Sequence, residues 1–295
     1  MRILVTGGAG FIGSHYVRQA LAGAYPGQRD AEILVLDLLT YAGSETNLAE
    51  VADSPRYRFV HGDIRDAALV RSLMTGTDLV VHFAAESHVD RSITGAADFV
   101  STNVAGTQIL LQAALECQVG KFVHVSTDEV YGSIEHGSWT EDHLLEPNSP
   151  YSAAKAGSDL IARAYHRTHG LGVCITRCSN NYGPYQFPEK VIPLFLTNLL
   201  DGRSVPLYGD GLNVRDWLHV DDHARGIAHV LEHGAPGEVY NIGGGNARTN
   251  LDITRELLRL CGRTFEDSVR HVADREGHDR RYALDASKAH AIGWA

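Results

Sequence analysis

The chain opens MRILVTGGAGFIGSH, residues 1–15: an apolar run, three glycines spaced by three, then a stretch with helical spacing. A strand that turns into a helix through Gly7, Gly10 and Gly13 reads as the first strand–helix unit of a parallel sheet, because such a tight turn needs residues free of a Cβ. Working outward, short apolar runs recur as EILVLDL at 32–38, YRFVHGD at 57–63, DLVVHFAA at 78–85, KFVHVST at 121–127 and GVCITRC at 172–178. Amphipathic stretches at 12–24, 66–75, 98–117 and 151–169 separate them and predict crossover helices. The expected fold is therefore α/β, a Rossmann-type doubly wound parallel sheet. After Asn180 the rhythm breaks into NNYGPYQFPEK, an apolar helix VIPLFLTNLL and the turn YGDGLN. That predicts a sheet domain over 1–179 and a smaller mixed C-terminal region over 180–295, interleaved with the sheet rather than joined by a linker.

The composition excludes several classes. With 26 Lys+Arg against 36 Asp+Glu the formal charge is −10, which repels polyanions and argues against a nucleic-acid partner. No run approaches the roughly 18 apolar residues of a membrane span, so no membrane partner is expected. The four cysteines, Cys117, Cys174, Cys178 and Cys261, are too few and too uneven for a disulfide framework. Free thiols in a reducing cytoplasm are the expectation. The first residues carry no features of a secretory leader, so folded structure is expected from Met1. Sixteen histidines include the i, i+4 pairs His219/His223 and His229/His233, but neither has an HExxH pattern or a third ligand. No metal is expected.

Three constellations carry chemistry. Gly7, Gly10 and Gly13 place backbone N–H groups and a helix N-terminus where a pyrophosphate can sit. The second strand ends in Asp37, whose carboxylate can accept from both hydroxyls of an adenosine ribose and repels a 2′-phosphate, so NAD is favoured over NADP. Asp63-Ile64 and Phe83-Ala84-Ala85 fall at the carboxyl ends of neighbouring strands, where a dinucleotide would lie. Tyr151 and Lys155 share one helix face, and an ammonium beside a phenol favours phenolate, which makes Tyr151 a general base. Thr127, Asp128 and Glu129 end the fifth strand. Two adjacent carboxyls there fit acid and base roles, and they equally fit an acidic first turn of a helix.

TGGAGFIG, Asp37, STDEVYG at 126–132 and YSAAK at 151–155 together resemble the extended short-chain dehydrogenase/reductase family, over almost the whole chain. Within it, HFAAESHVDRS at 82–92, TDEVYG at 127–132, CSNNYGPYQFPEKVIP at 178–193 and GHDRRYA at 277–283 are similar to its dTDP-glucose 4,6-dehydratase branch. The resemblance implies an NAD site built from Gly7, Gly10, Phe11, Ile12, Gly13, Asp37, Leu38, Thr40, Asp63, Ile64, Phe83, Ala84, Ala85, Ser87, Thr102, Tyr151, Lys155 and Asn181. It implies dTDP-glucose as substrate, held by Ser87, Thr127, Asn180, Lys190, Pro206, Tyr208, Arg215, Asn250, Arg275 and His278. Tyr151 would take the C4 hydroxyl proton, Glu129 the C5 proton, and Asp128 would protonate the departing C6 hydroxyl. Thr127 would bond the C4 oxygen, while Asn103 would position a water or Lys155. A homodimer pairing the segments 98–117 and 151–169 is implied as well. The family continues for roughly one more helix beyond the point matching Ala295, so the substrate region is expected to be truncated. The rival readings are a nucleotide-sugar 4-epimerase or decarboxylase, which would share the glycines, Tyr151 and Lys155, and a nonenzymatic NAD-binding regulator on the same fold. Asp128 beside Glu129 favours dehydration, and intact Thr127, Tyr151 and Lys155 argue against the regulator.

Overall fold

The computed structural model describes residues 1–295. Its strands, in chain order, are β1 (Arg2–Thr6), β2 (Glu32–Asp37), β3 (Tyr57–His61), β4 (Leu79–His82), β5 (Lys121–Thr127), β6 (Val173–Cys178), β7 (Asn180–Tyr182), β8 (Val205–Tyr208), β9 (Val214–His219), β10 (Val239–Ile242), β11 (Ala247–Thr249) and β12 (Val269–Val272). Seven of them form one parallel sheet in the order β10-β6-β5-β4-β1-β2-β3. Helices cover both faces, which is why the strands are continuous apolar runs rather than alternating ones. Ile3, Leu4 and Val5 are all fully buried, although successive side chains point to opposite faces.

One face packs beneath the helices Phe11–Leu21 and Val220–His233, with Tyr16, Val17, Ile227 and Val230 in its core. The other packs beneath Ala67–Met74, Thr107–Glu116 and Pro150–His169, through Val70, Leu110, Leu111 and Ala162. Strand order reverses direction at β1, between β4 and β2. Loops leaving those carboxyl ends diverge to opposite faces, and the crevice between them is where such sheets bind ligands.

Two features differ from the sequence expectation. The segment expected as one helix over 98–117 is Ala96–Phe99, a wide π-helical turn over Val100–Gly106, and then Thr107–Glu116. Within the wide turn the Thr107 hydroxyl donates back to the Asn103 carbonyl at 2.6 Å, and the Asn103 side chain is drawn to the neighbouring loop. Beyond Asn180 the chain is more regular than its punctuation implies. A three-stranded sheet, β11-β9-β7, and a two-stranded one, β12-β8, flank the helices Val191–Leu200 and Asn250–Cys261. The chain also returns to the main sheet, since β10 and the helix Val220–His233 complete it.

Candidate active site

A cleft of ≈ 700 Å³ runs along the carboxyl ends of the parallel strands and under the C-terminal region. At its floor the backbone closes on itself. Gly7 has φ +71°, and a Cβ there would meet the Ala84 nitrogen at 2.5 Å, while one on Gly13 would meet the Gly7 carbonyl oxygen at 2.2 Å. Gly10 then precedes the helix Phe11–Leu21, whose first N–H groups face the cleft. Asp37 at the end of β2 does two things at once. Its Oδ2 accepts the Ala9 N–H at 2.9 Å and its Oδ1 the Leu39 N–H at 2.8 Å, so it ties the glycine loop to β2. Each oxygen keeps a lone pair for a further donor. A cradle too tight for side chains, a helix N-terminus and a carboxylate beside it fit a dinucleotide pyrophosphate and ribose.

The reacting groups sit at the cleft's centre. Ser149 caps the helix Pro150–His169 by accepting the Ser152 N–H, which places Tyr151 and Lys155 in the first turns with their side chains toward the cleft. Tyr151 packs edge-on to Phe99, with centroids 6.2 Å apart, and its backbone N–H donates to Ser92 Oγ at 3.1 Å. Burial first, then the neighbouring charge of Glu129, pushes its phenol well above the ordinary range. The expected pull of Lys155 toward phenolate is not what sets Tyr151 in this geometry. Lys155 instead donates from Nζ to the Val125 carbonyl at 2.7 Å, and burial pushes its ammonium down to about 8.

Thr127 ends β5 and caps the short turn Asp128–Tyr131, accepting the Glu129 N–H at 3.3 Å. Asp128 is 2% exposed, and its Oδ2 has no partner. Burial, and after it the neighbouring charge of Glu129, push its carboxyl well above the usual carboxylate range, which favours its acid form. Glu129 Oε2 accepts the Ser152 hydroxyl at 3.1 Å, an arrangement that suits a carboxylate. One turn of chain therefore presents a buried acid beside a hydrogen-bonded carboxylate, and the two functions separate by environment.

Every site residue expected from the sequence lines this cleft except Asn103. That residue is 1% exposed, and its amide is spent on the backbone of Glu86: Oδ1 accepts the Glu86 N–H at 2.8 Å and Nδ2 donates to the Glu86 carbonyl at 3.0 Å. It fixes a cleft loop, and its amide does not bond Lys155, which donates to Val125 instead. Ile64, Phe11, Ile12, Leu38, Thr40, Thr102, Phe83 and Ala85 form the walls near the glycine loop. Asp63 is gripped by Arg65, whose Nη2 lies at 2.6 Å, and that guanidinium lowers its carboxyl. Asn181 is oriented from behind. His223, held neutral by burial with its pKa down to about 3, lies 2.9 Å from Asn181 Oδ1 through Nδ1, while Asn181 Nδ2 donates to the Ser179 carbonyl.

The far end is cationic and aromatic. Lys190 Nζ donates to the Ser87 carbonyl at 2.9 Å, Arg215 lies with its guanidinium 4.2 Å from the Tyr282 ring, and Arg275 Nη1 is 3.3 Å from Asp90. Tyr208 stands edge-on to His278, which Asp274 holds at 2.6 Å. Pro206, Asn180 and Asn250 complete that wall. Sequence reasoning missed Glu86, Glu189, Trp217 and Tyr282, which also line the cleft. Their motifs were visible, but nothing in a residue's type announces a wall. No group of His, Cys, Asp and Glu is placed to hold a metal ion.

The family model for GDP-mannose 4,6 dehydratase matches residues 4–295. The chain belongs to this family. Among the family's curated members, the dTDP-glucose 4,6-dehydratase of Streptomyces antibioticus is 65% identical over 290 residues, covering 98% of this chain and 85% of the relative. The structure superposes on DesIV, the dTDP-glucose 4,6-dehydratase of Streptomyces venezuelae solved with NAD and dTDP bound, with TM-score 0.99 and 66% identity over 100% of this chain and 92% of that one. A UDP-glucuronic acid 4-epimerase from Bacillus cereus, solved with UDP-glucuronic acid and NAD, shares the family fold at TM-score 0.93 but only 30% identity, covering 100% of this chain and 94% of that one.

The dual duty of Asp37 generates a prediction. Asp37→Ala should weaken NAD⁺ binding by a few kcal/mol, at about 1.5–3 kcal/mol for each charge-assisted hydrogen bond lost. Titration calorimetry with NAD⁺ and NADP⁺ checks it, and a wild-type preference for NADP⁺ would overturn the assignment.

Proposed function

We infer that this chain is an NAD-dependent nucleotide-sugar 4,6-dehydratase that converts dTDP-glucose to dTDP-4-keto-6-deoxyglucose and water. The observation that carries the reading is the pairing of Asp128, whose carboxyl burial pushes up, with Glu129, which accepts from Ser152, in the same cleft as Tyr151 and Lys155. A 4-epimerase needs no acid for a departing hydroxyl, and similarity at 65% to a dehydratase points the same way. The bound dinucleotide would supply the hydride acceptor and, later, the donor.

The chain's own groups do the rest. Tyr151 takes the C4 hydroxyl proton, with Thr127 bonded to the same oxygen. To act as a base near neutral pH it needs a cation against the field of Glu129, and Lys155, one turn along the helix, is the ammonium at hand. Once C4 is a ketone the C5 proton is acidic, and Glu129 removes it as Asp128 protonates the C6 hydroxyl, which leaves as water; when C6 takes back the hydride, Tyr151 or solvent returns a proton to C5. Lys190, Arg215 and Arg275 give the diphosphate its cationic partners, and Tyr208 with Pro206 walls the base. Residues 1–179 thus serve mainly the dinucleotide and the reacting groups, and 180–295 mainly the nucleotide sugar. Free cysteines suit a reducing cytoplasm.

Homodimer formation is part of the same reading. Val100 and Leu160 are 53% and 55% exposed on neighbouring helical segments, an apolar pair that a second copy would cover. Light scattering should return twice the chain mass, and a monomer at micromolar concentration would remove the dimer from the proposal.

Tyr151→Phe should abolish C4 oxidation, with kcat falling and KM nearly unchanged, because it deletes one oxygen that acts in the transition state. A raised KM with kcat intact would make Tyr151 a binding residue. Asp128→Asn should still oxidise C4 and accumulate absorbance near 340 nm while product formation slows about 10²–10⁴-fold. Glu129→Gln should in addition suppress exchange of the C5 hydrogen with solvent deuterium. A double variant that forms the 6-deoxy product at near wild-type rate would refute the dehydratase reading.

A further inference from the structure

Behind the reacting groups lies a polar node that the mechanism above does not use. Arg177, on β6, is fully buried, and its guanidinium reaches in two directions. Nε donates to Asp159 Oδ2 at 2.9 Å, and Nη1 donates to the Tyr131 hydroxyl at 2.8 Å, with the guanidinium carbon 4.7 Å from the centroid of that ring. Asp159 lies on the helix Pro150–His169, one turn beyond Lys155 and two beyond Tyr151. Tyr131 closes the turn Asp128–Tyr131. One guanidinium therefore joins the element that carries the oxidation pair to the element that carries the acid and base.

Both ends of this link are anchored. The Tyr131 hydroxyl accepts from Arg177 and donates to Asn241 Oδ1 at 2.9 Å, and Asn241 Nδ2 donates onward to the Trp139 carbonyl. Asp159 Oδ1 faces His124 Nε2 at 3.2 Å, and His124 also contacts Ser158 Oγ at 3.0 Å. Asp159 and Arg177 are both 0% exposed. A buried ion pair is a poor source of stability, because desolvation offsets most of its attraction. Its use is geometric: planar, bidirectional hydrogen bonding fixes the relative placement of the two elements it touches.

We propose that Arg177 is a positioning residue that holds the Asp128–Glu129 turn in register with the Tyr151–Lys155 helix, so that oxidation at C4 and water loss across C5 and C6 act on a sugar held in one pose. The proposal rests on the dehydratase reading. It extends that reading by making the handover between the two steps depend on a residue that touches neither substrate nor cofactor.

Tyr131→Phe is the mild test, since it keeps the ring and removes only the oxygen that Arg177 grips. In single turnovers with dTDP-glucose its rise at 340 nm should stay within about twofold of wild type, while 6-deoxy product appears on the order of ten- to a hundredfold more slowly, the cost of a small misplacement. Absorbance at 340 nm should then persist after its rise, whereas in wild type it should decay as the product forms. Asp159→Asn, which loosens the helix end, should slow the 340 nm rise itself; if that variant does not fold, Tyr131→Phe decides alone. A Tyr131→Phe enzyme whose two steps are both unchanged, or are lowered by the same factor, overturns the proposal whatever its melting temperature. Wild-type protein that does not convert dTDP-glucose overturns the dehydratase reading and the proposal with it.

Discussion

Between β1 and the helix it feeds there is no space for a side chain, and the neighbouring loop after β4 presses against the same turn. This close approach fixes where a dinucleotide can lie, because backbone N–H groups come within reach of a phosphate only where Cβ atoms are absent. Asp37 depends on it, since its carboxylate reaches across to the Ala9 N–H. So does the depth of the cleft, because the loop at Ala84 and Ala85 lines the same region. The remainder of the site is arranged along the line that this turn begins.

Burial then does the chemical sorting. Two adjacent carboxyls in water would ionise alike. Here Asp128 is buried at the cleft with one oxygen unpartnered, while Glu129 is met by a hydroxyl from the helix Pro150–His169. The difference in role is a difference in surroundings rather than in residue type. Lys155 shows the converse, a cation whose burial is tolerated because a strand-end carbonyl accepts from it and Asp159 lies behind it.

The parallel sheet was legible because strands covered on both faces spell themselves as unbroken apolar runs, and helices between them keep their own spacing. The glycine loop and the Tyr151–Lys155 pair were legible because their spacing along the chain is also their spacing in space, and Asp37 because it ends the second strand beside the glycine loop. Asn103 was not. Its amide is diverted to the Glu86 backbone by a wide turn that no local pattern announces, since the partner loop lies 17 positions away. The short strands β8, β11 and β12 were equally hidden, because three or four residues such as Ala247–Thr249 carry too few side chains to show a period. Arg177 is a charge inside an apolar strand, and only the fold reveals that Asp159 and Tyr131 converge on it.

The cationic corner formed by Lys190, Arg215 and Arg275 sits on a body whose formal charge is −10. At an ionic strength of 0.15 M the Debye length is about 8 Å, so an approaching dianion meets the repulsive body only near its surface and then the local cations. Weakly salted solution lets the body's field extend further outward. Capture of a negatively charged ligand should thus be governed by short-range attraction at the mouth rather than by steering from afar. Moderate salt then speeds encounter by shielding the body, until higher salt shields the corner as well.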